Sequence, residues 1–164
     1  MTDPLDALAR WAAPLLANLA PQRRRRVMAD VATALRQGQA ARIAQQRNTD
    51  GSAYEPRKAA TGSAAPGKPG IRQRKGALRR AMFEKLRTAK HLRRTATAGS
   101  ATLSIQGAAG RIARIHQYGL RDRVDWRRAG SPIVRYARRE LLGFTEADIQ
   151  AIETRLLAAI AADP

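Results

Sequence analysis

The 164-residue chain has 31 Lys and Arg residues against 13 Asp and Glu residues, a formal net charge of +18. This excess favours contact with polyanions or acidic surfaces, and only 4% of residues are aromatic, so the core must be built mainly from Leu, Ile, Val and Ala. The lack of cysteine excludes disulfides, thiol catalysis and cysteine-ligated metals, and no apolar run reaches the roughly 18–20 residues of a membrane span.

The charge is distributed unevenly along the chain. Residues 57–94 contain 13 basic residues and one acidic residue, whereas residues 140–164 contain one basic residue and five acidic ones. A basic middle followed by an acidic end predicts two regions of opposite potential. The apolar N-terminus carries Asp3 and Asp6 where a signal peptide has positive charge, so we expect no targeting signal and a protein made in the cytoplasm.

Two helices are predicted in the N-terminal part of the chain. Apolar residues at three- and four-residue spacing after Asp3-Pro4 indicate a short amphipathic helix, which Pro14 is expected to kink or split. Pro21 begins a longer helix. Its apolar face is predicted to contain Val27, Val31, Ala34, Gly38 and Ala41, with Met28, Leu35 and Ile43 beside it. The arginines at 23–26 are either a solvated basic face or a site for a phosphate or an acidic partner.

The middle of the chain is predicted to change from loop to helix to strands. Residues 48–52 end the second helix as a turn, and the Gly-, Pro- and Ala-rich residues 59–71 form a flexible loop. Apolar residues at helical spacing predict a basic helix over about 74–89. The alternating segments 92–97 and 101–106 predict a β-hairpin.

The segment after the hairpin gives weaker patterns. The small residues 107–110 are interpreted as a flexible turn between strands, because they lack the spacing of a dinucleotide-binding loop. Ile112 and Ile115 indicate either another strand or a short helix. Ile133 to Tyr136 predicts a last short strand.

The final helix has the clearest pattern. Thr145 and Asp148 have the spacing of a capping box, and an apolar stripe follows at Ile149, Ile152, Leu156 and Ile160. We therefore predict an α+β fold with helices packed around a small antiparallel β-sheet. It forms one domain over 1–164, made of N-terminal helices (1–50), the flexible loop (59–71), a basic helix with a β-hairpin core (72–144) and a C-terminal helix (145–161).

The residues offer little for catalysis. The two histidines, His91 and His116, lie 25 residues apart without carboxylates at metal-ligand spacing, and no serine-nucleophile or phosphate-loop motif occurs. Asp122 and Asp125 are the only acids in 85–139, and each stands beside arginines that would pair with it. We expect no enzymatic activity, no cofactor, no metal and no small-molecule substrate.

Nucleic-acid binding is the main alternative on charge alone. Residues 72–94 place ten Arg and Lys residues around the predicted basic helix, which would neutralise phosphates without reading the sequence. No zinc finger, homeodomain or RNA-binding aromatic strand is present. Phe83 in this region is assigned to the core rather than to base stacking.

Several segments resemble, in the same order, the phage virion morphogenesis (tail-completion) family. They are RIAQQRNTDGSAYEPRK at 42–58, MFEKLR at 82–87, IARIHQYGLRDR at 112–123 and YARRELLGFT at 136–145. The resemblance extends over nearly the whole chain, from about Leu5 to Ala161. As a set, these motifs are specific, although each one alone would be weak.

The resemblance implies a structural protein of the virion rather than an enzyme. Such a protein acts at the head-proximal end of a contractile tail, completing or stabilising it so that it can join a DNA-filled head. It implies contacts with other tail or neck proteins, namely the tube, sheath, terminator or connector, and a homo-oligomer such as a ring. The expected location is the virion tail, after assembly in the host cytoplasm, and sequence-independent DNA binding stays the alternative function.

A ring requires two different complementary surfaces on each subunit. The basic region 72–94, with Arg79, Arg80 and Arg87, and the acidic helix, with Glu146, Asp148 and Glu153 facing arginines of a neighbouring copy, are predicted to supply them. Arg121, Arg123, Arg127 and Arg128 are predicted to project from an exposed loop towards the tail tube, the sheath, a connector protein or DNA. Two alternatives stay open: the arginines are merely solvated, and the last helix packs only within its own subunit. The motif His116, Gln117, Tyr118 and Gly119 is predicted to shape a tight turn, with Gly119 at positive φ and the Tyr118 ring buried.

Overall fold

The computed structural model describes residues 3–57 and 81–161, and these contain four α-helices and two β-hairpins. The helices are α1 (Pro4–Ala17), α2 (Pro21–Ala44), α3 (Gly107–Tyr118) and α4 (Glu146–Ala161). One hairpin pairs β1 (Leu92–Ala96) with β2 (Ala101–Ile105), and the other pairs β3 (Arg121–Arg123) with β4 (Ile133–Arg135). The α+β class is confirmed, although the strands form two separate antiparallel ribbons. The loop predicted at 59–71 lies outside the described residues.

Helix α1 begins as its sequence predicts but does not divide. The side chain of Asp3 accepts a hydrogen bond from the amide of Leu5, and Pro4 occupies the first helical turn. The expected split at Pro14 is wrong, because the helix continues through this residue to Ala17. Packing of Ala12 and its apolar neighbours against α2 and α4 holds the helix together across the missing hydrogen bond.

The buried face of α2 is rotated from the predicted one. Val27 and Val31, predicted on the apolar face, and Leu35, predicted beside it, are buried. Ala41, also predicted on this face, is exposed. Two polar side chains, Gln39 and Arg42, are buried in its place. They are accommodated because each is hydrogen-bonded to groups of other elements, which removes the main cost of burying them.

Residues 82–91 form a series of turns, so the helix predicted over 74–89 is wrong where it can be compared. Residues 74–80 are not described. Phe83 has φ of +64°, a conformation that an α-helix does not allow and that is uncommon for a side chain of this size. Its ring packs against the core, which fixes this conformation and confirms the assignment of Phe83 as a core residue.

The β1–β2 hairpin is confirmed in position. Leu92 lies opposite Ile105 and Ala96 opposite Ala101, with the turn closed by the amide of Thr97 donating to the carbonyl of Ser100. The flexible turn predicted at 107–110 is wrong, because these small residues form the first turn of α3. Between the two open alternatives for Ile112 and Ile115, the helix is correct. The strand predicted from Ile133 is confirmed as β4.

Helix α4 has the predicted capping box and apolar stripe. The amide of Asp148 donates to the hydroxyl of Thr145, and the Thr145 amide donates to the Asp148 carboxylate. Ile152 and Leu156 are buried. None of the described helices combines the length and apolar character needed to cross a bilayer.

Two hydrophobic clusters form the core. The first joins α1, α2 and α4 through Ala12, Val27, Val31, Leu35, Ile152 and Leu156. The second contains Ile43, Tyr54, Leu86, Ala113 and Leu141. Helix α2 contributes to both, and strand β2 packs Leu103 on the first and Ile105 on the second. These two elements therefore connect the helical part of the molecule to the part that carries α3.

Candidate protein-interaction site

Three of the motif segments meet in one place, which we call the polar junction. It comprises Arg42, Gln46, Asn48, Thr49, Tyr54, His116, Gln117, Arg139 and Glu140. Arg42 is buried at its centre and donates to the carbonyl oxygens of Arg47, Glu140 and Leu141 and to the side chain of Gln39. A guanidinium has five donors in a fixed plane, so this side chain joins the end of α2 to the segment before α4.

Glu140 connects the junction to the turn that follows α2. Its amide donates to the side chain of Asn48, and its carboxylate accepts from both the amide and the hydroxyl of Thr49. Arg138 pairs with the same carboxylate at 2.5 Å. The hydrogen bonds from Thr49 are the main cause that holds the pKa of Glu140 below its usual value. The positive charge of Arg138 lowers this pKa further. Tyr54 donates its hydroxyl to the Glu140 carbonyl at 3.0 Å.

Two glutamine side chains bind backbone groups across the junction. Gln117, at the end of α3, accepts from the amides of Leu141 and Leu142 and donates to the carbonyl of Leu142. Gln46 accepts from the amide of Met82 and donates to its carbonyl. These side-chain amides satisfy the backbone groups of Met82, Leu141 and Leu142, which lie outside the strands, so they help to hold irregular backbone in place.

His116 and Arg139 form a further part of the junction, in which Arg139 is buried and His116 is half-buried. The Arg139 guanidinium lies 3.0 Å from Nδ1 of His116 and also donates to the carbonyls of Glu55 and Pro56. Burial, and then the charge of Arg139, lowers the pKa of His116 to about 4. Because a guanidinium only donates, Nδ1 must accept, and His116 is a neutral ring protonated on Nε2.

A row of rings leads from the core to the surface. Tyr54, Phe83, His116 and Tyr136 follow one another with centroid separations of 5.9, 4.8 and 5.2 Å, each pair edge to face. Tyr54 is buried, whereas His116 and Tyr136 line a groove of about 350 Å³. The junction thus supports the floor of this groove.

The groove lies between α3 and the β3–β4 hairpin. Its wall is Trp126, which is 56% exposed and stands between two guanidinium groups, those of Arg111 at 5.6 Å and Arg127 at 5.3 Å from the ring centroid. Arg111 also pairs with Asp122 at 2.6 Å, and this hydrogen bond lowers the pKa of Asp122.

Three large apolar side chains that line the groove are exposed, namely Ile112 on α3 and Val124 and Trp126 after β3. Ile133 and Val134 on β4 are also exposed. Scattered exposed apolar residues are ordinary, but exposed apolar side chains that line one groove together with arginines are typical of a protein-interaction surface. We call this group, together with Arg111, Arg123 and Arg127, the groove surface.

The predicted interface residues lie in several different parts of the structure. Arg121, Arg123, Arg127 and Arg128 are exposed on the β3–β4 hairpin, and Arg87 is exposed in the turns after residue 81. Glu146 and Glu153 are exposed on α4. Arg79 and Arg80 lie outside the described residues.

Asp148 differs from the other two acids of α4, because it is buried and bonded within its own chain. Its carboxylate accepts from Gln39 and from Thr145. It therefore belongs to the contact between α4 and α2 instead of to an exposed acidic face.

The His116–Gly119 motif is the end of α3 instead of an isolated turn. Gly119 caps the helix with φ of +63°, which confirms the predicted positive φ. The predicted burial of Tyr118 is wrong, because its side chain is 64% exposed. The helix directs His116 and Gln117 into the junction, so the next residue points outward.

Metal chemistry finds no support among the residues that the structure describes. They contain no group of three or more His, Cys, Asp or Glu side chains close enough to hold an ion. Nδ1 of His116 is hydrogen-bonded to the Arg139 guanidinium.

Sequence reasoning missed Trp126 and the buried arginines. A tryptophan inside an arginine-rich polar loop is a recognisable signal, because such a ring has no local core to enter. Arg42 and Arg139 carry no such signal, because nothing distinguishes them from the other basic residues in the sequence.

Comparison with known proteins agrees with the motif order. Residues 3–161 match the model of the phage virion morphogenesis family. The chain is 37% identical over 145 residues to "Tail completion protein S" of Escherichia phage P2, an alignment that covers 88% of this chain and 89% of that protein. No solved structure matches significantly. The chain belongs to the phage virion morphogenesis family.

Proposed function

We propose that this protein is a structural component of the virion that completes the head-proximal end of a contractile phage tail and enables the tail to join a filled head. The observation that carries the proposal is the nearly full-length similarity to a tail completion protein. Full-length similarity matters here because the motif segments 42–58, 112–123 and 136–145 fold into one junction, so they function together.

The role proposed is docking and not catalysis. The polar groups of the junction bind one another and the backbone, so they stabilise the fold beneath an exposed surface. The groove surface offers apolar side chains and arginines to a partner. The partners proposed are the tail tube, sheath, terminator or connector, together with further copies of the chain in a ring, first in the host cytoplasm and then in the virion.

The decisive experiment removes the gene from the phage that carries it and supplies the protein from a plasmid. We expect lysates without the protein to contain filled heads and separate, unstable tails by electron microscopy. Wild-type protein should restore joined particles and plaque formation. Normal joined particles in the absence of the protein would contradict the proposal.

Sequence-independent DNA binding is the second candidate. Lys85, Arg87, Lys90, Arg93 and Arg94 are all exposed in the described part of the basic region. Purified protein that retards random duplex DNA, with a steep loss on adding salt, would favour this function. The tail proposal instead expects the protein to assemble without nucleic acid.

A further inference from the structure

The groove surface combines an apolar wall with positive charge that is not balanced locally. Residues 107–136 contain seven arginines and two aspartates, and Asp122 is already paired with Arg111. The Asp125 carboxylate accepts from the backbone amide of Arg127. A segment that fits here must therefore present an apolar side chain close to carboxylates.

The outer face of α4 has this chemistry. Glu146, Gln150, Glu153 and Leu157 are exposed and recur at helical spacing along one row, on a different side of the helix from the buried Ile152 and Leu156. Leu157 is 46% exposed. The helix has one basic residue, Arg155, which is half-buried and donates to the carbonyl of Ala151. We call this row the acidic face.

We propose that the groove surface of one copy binds the acidic face of a second copy of this chain. Leu157 would pack beside Trp126, and Glu153 would face Arg127 and Arg123. Charge complementarity within a single sequence identifies the occupant, since the acidic excess of this basic chain is concentrated in residues 140–164, which contain five acids and one basic residue.

The two surfaces lie on different elements, which determines the kind of assembly. Helix α4 packs on α1 and α2, whereas the groove is built by α3 and the β3–β4 hairpin. A contact between unlike surfaces is head-to-tail, so an open chain of copies has a free groove surface at one end and a free acidic face at the other, and growth ends when a ring closes. The inference deepens the proposed function and rests on it for its place in the virion.

The test uses two full-length variants that each lose one surface. The groove variant carries Trp126→Ala with Arg127→Glu, and the acidic-face variant carries Glu153→Lys with Leu157→Lys. All four side chains are exposed, so folding should persist. Glu84→Lys is the matched control, because it changes an exposed acid away from α4.

Sedimentation of each protein alone and of the mixture gives the readout. We expect wild type and Glu84→Lys to form multimers and each double variant to stay monomeric. An equal mixture of the two variants should form dimers and nothing larger, because one intact pair of surfaces remains. Multimers from either variant alone, a monomeric mixture, or a monomeric wild type at the highest concentration reached would overturn the inference.

Two further measurements keep the outcome clear. The single changes Trp126→Ala and Leu157→Lys form a milder pair if a double variant loses its helical circular dichroism signal. Failure of the pairing in solution, together with normal rescue of the phage by the groove variant, would overturn the inference and leave the proposed function standing. Absence of any phage defect on deleting the gene would remove the proposed function itself.

Discussion

His116 illustrates how a single residue reports on the whole junction. Its ring packs between Phe83 and Tyr136, and Arg139 donates to Nδ1, so a second proton on the ring would face a positive charge in a poorly solvated place. Burial is the larger cause of its lowered pKa and the Arg139 charge the next. Protonation therefore works against the folded state.

We predict that the stability of the protein declines as the pH falls from about 6.5 towards 4. The folded pKa of His116 is about 4 and the usual pKa of an exposed histidine is 6.5, so in this window the unfolded chain binds the proton and the folded chain does not. His116→Gln should flatten this decline in a series of thermal melts.

The matched control is His91→Gln, which removes the histidine outside the junction and should retain the wild-type profile. A wild-type melting temperature that stays level, or rises, between pH 6.5 and 4 would count against the neutral, buried state of His116. An unchanged decline in His116→Gln would assign it to other groups.

At the scale of elements, the contact between α2 and α4 depends on one glycine. A Cβ at Gly38 would lie 2.5 Å from an oxygen of Asp148. The other carboxylate oxygen accepts from Gln39 and from Thr145. The carboxylate cannot turn aside without breaking the cap of α4.

We predict that Gly38→Ala lowers the free energy of unfolding by about 1–2 kcal/mol, although alanine is the better helix former by about 1 kcal/mol. Chemical denaturation measures the change. Gln37→Ala, an exposed neighbour on α2, should change stability by less than about 0.5 kcal/mol.

The cause can be isolated with a double variant. In an Asp148→Ala background the obstructing carboxylate is absent, so Gly38→Ala should become neutral or stabilising. Equal destabilisation in both backgrounds would show that the close approach to Asp148 is not the reason.

Whether a segment is a helix, a strand or a turn was harder to predict where contacts with side chains distant in sequence determine the backbone conformation. The β1–β2 hairpin and α4 follow from local patterns, alternation in one case and a capping box in the other. The segment at 82–91 has apolar residues at helical spacing, yet Phe83 adopts positive φ because its ring enters the row between Tyr54 and His116. Local propensity cannot include that contact.

At the scale of the whole molecule, net charge opposes the fold. A formal charge of +18 on 164 residues repels itself, and the described acids are few. Several of them are occupied in local contacts, such as Asp122 with Arg111 and Glu140 with Arg138. Salt should therefore stabilise this protein by screening its own field.

We predict that the melting temperature rises as the salt concentration is increased from about 0.05 to 0.5 M. Over this range the Debye screening length falls from above about 10 Å to below about 10 Å. Trp126→Ala is the form to measure, because it keeps the net charge and is expected to be monomeric. Chloride and perchlorate salts at equal ionic strength separate screening from anion binding. A falling melting temperature in both salts would show that attractive ion pairs outweigh the repulsion.

The amino-acid sequence alone determined the α+β class, the β1–β2 hairpin, the capped last helix, the positive φ of Gly119 and the resemblance to a phage assembly family. These follow from patterns within a few residues of one another or from the order of motifs. Only the tertiary structure decided that Arg42 and Arg139 are buried, that Asp148 faces α2, and that Trp126 stands exposed between two arginines. The physical reason is that burial of a charged group depends on hydrogen-bond partners distant in sequence, which no local pattern specifies.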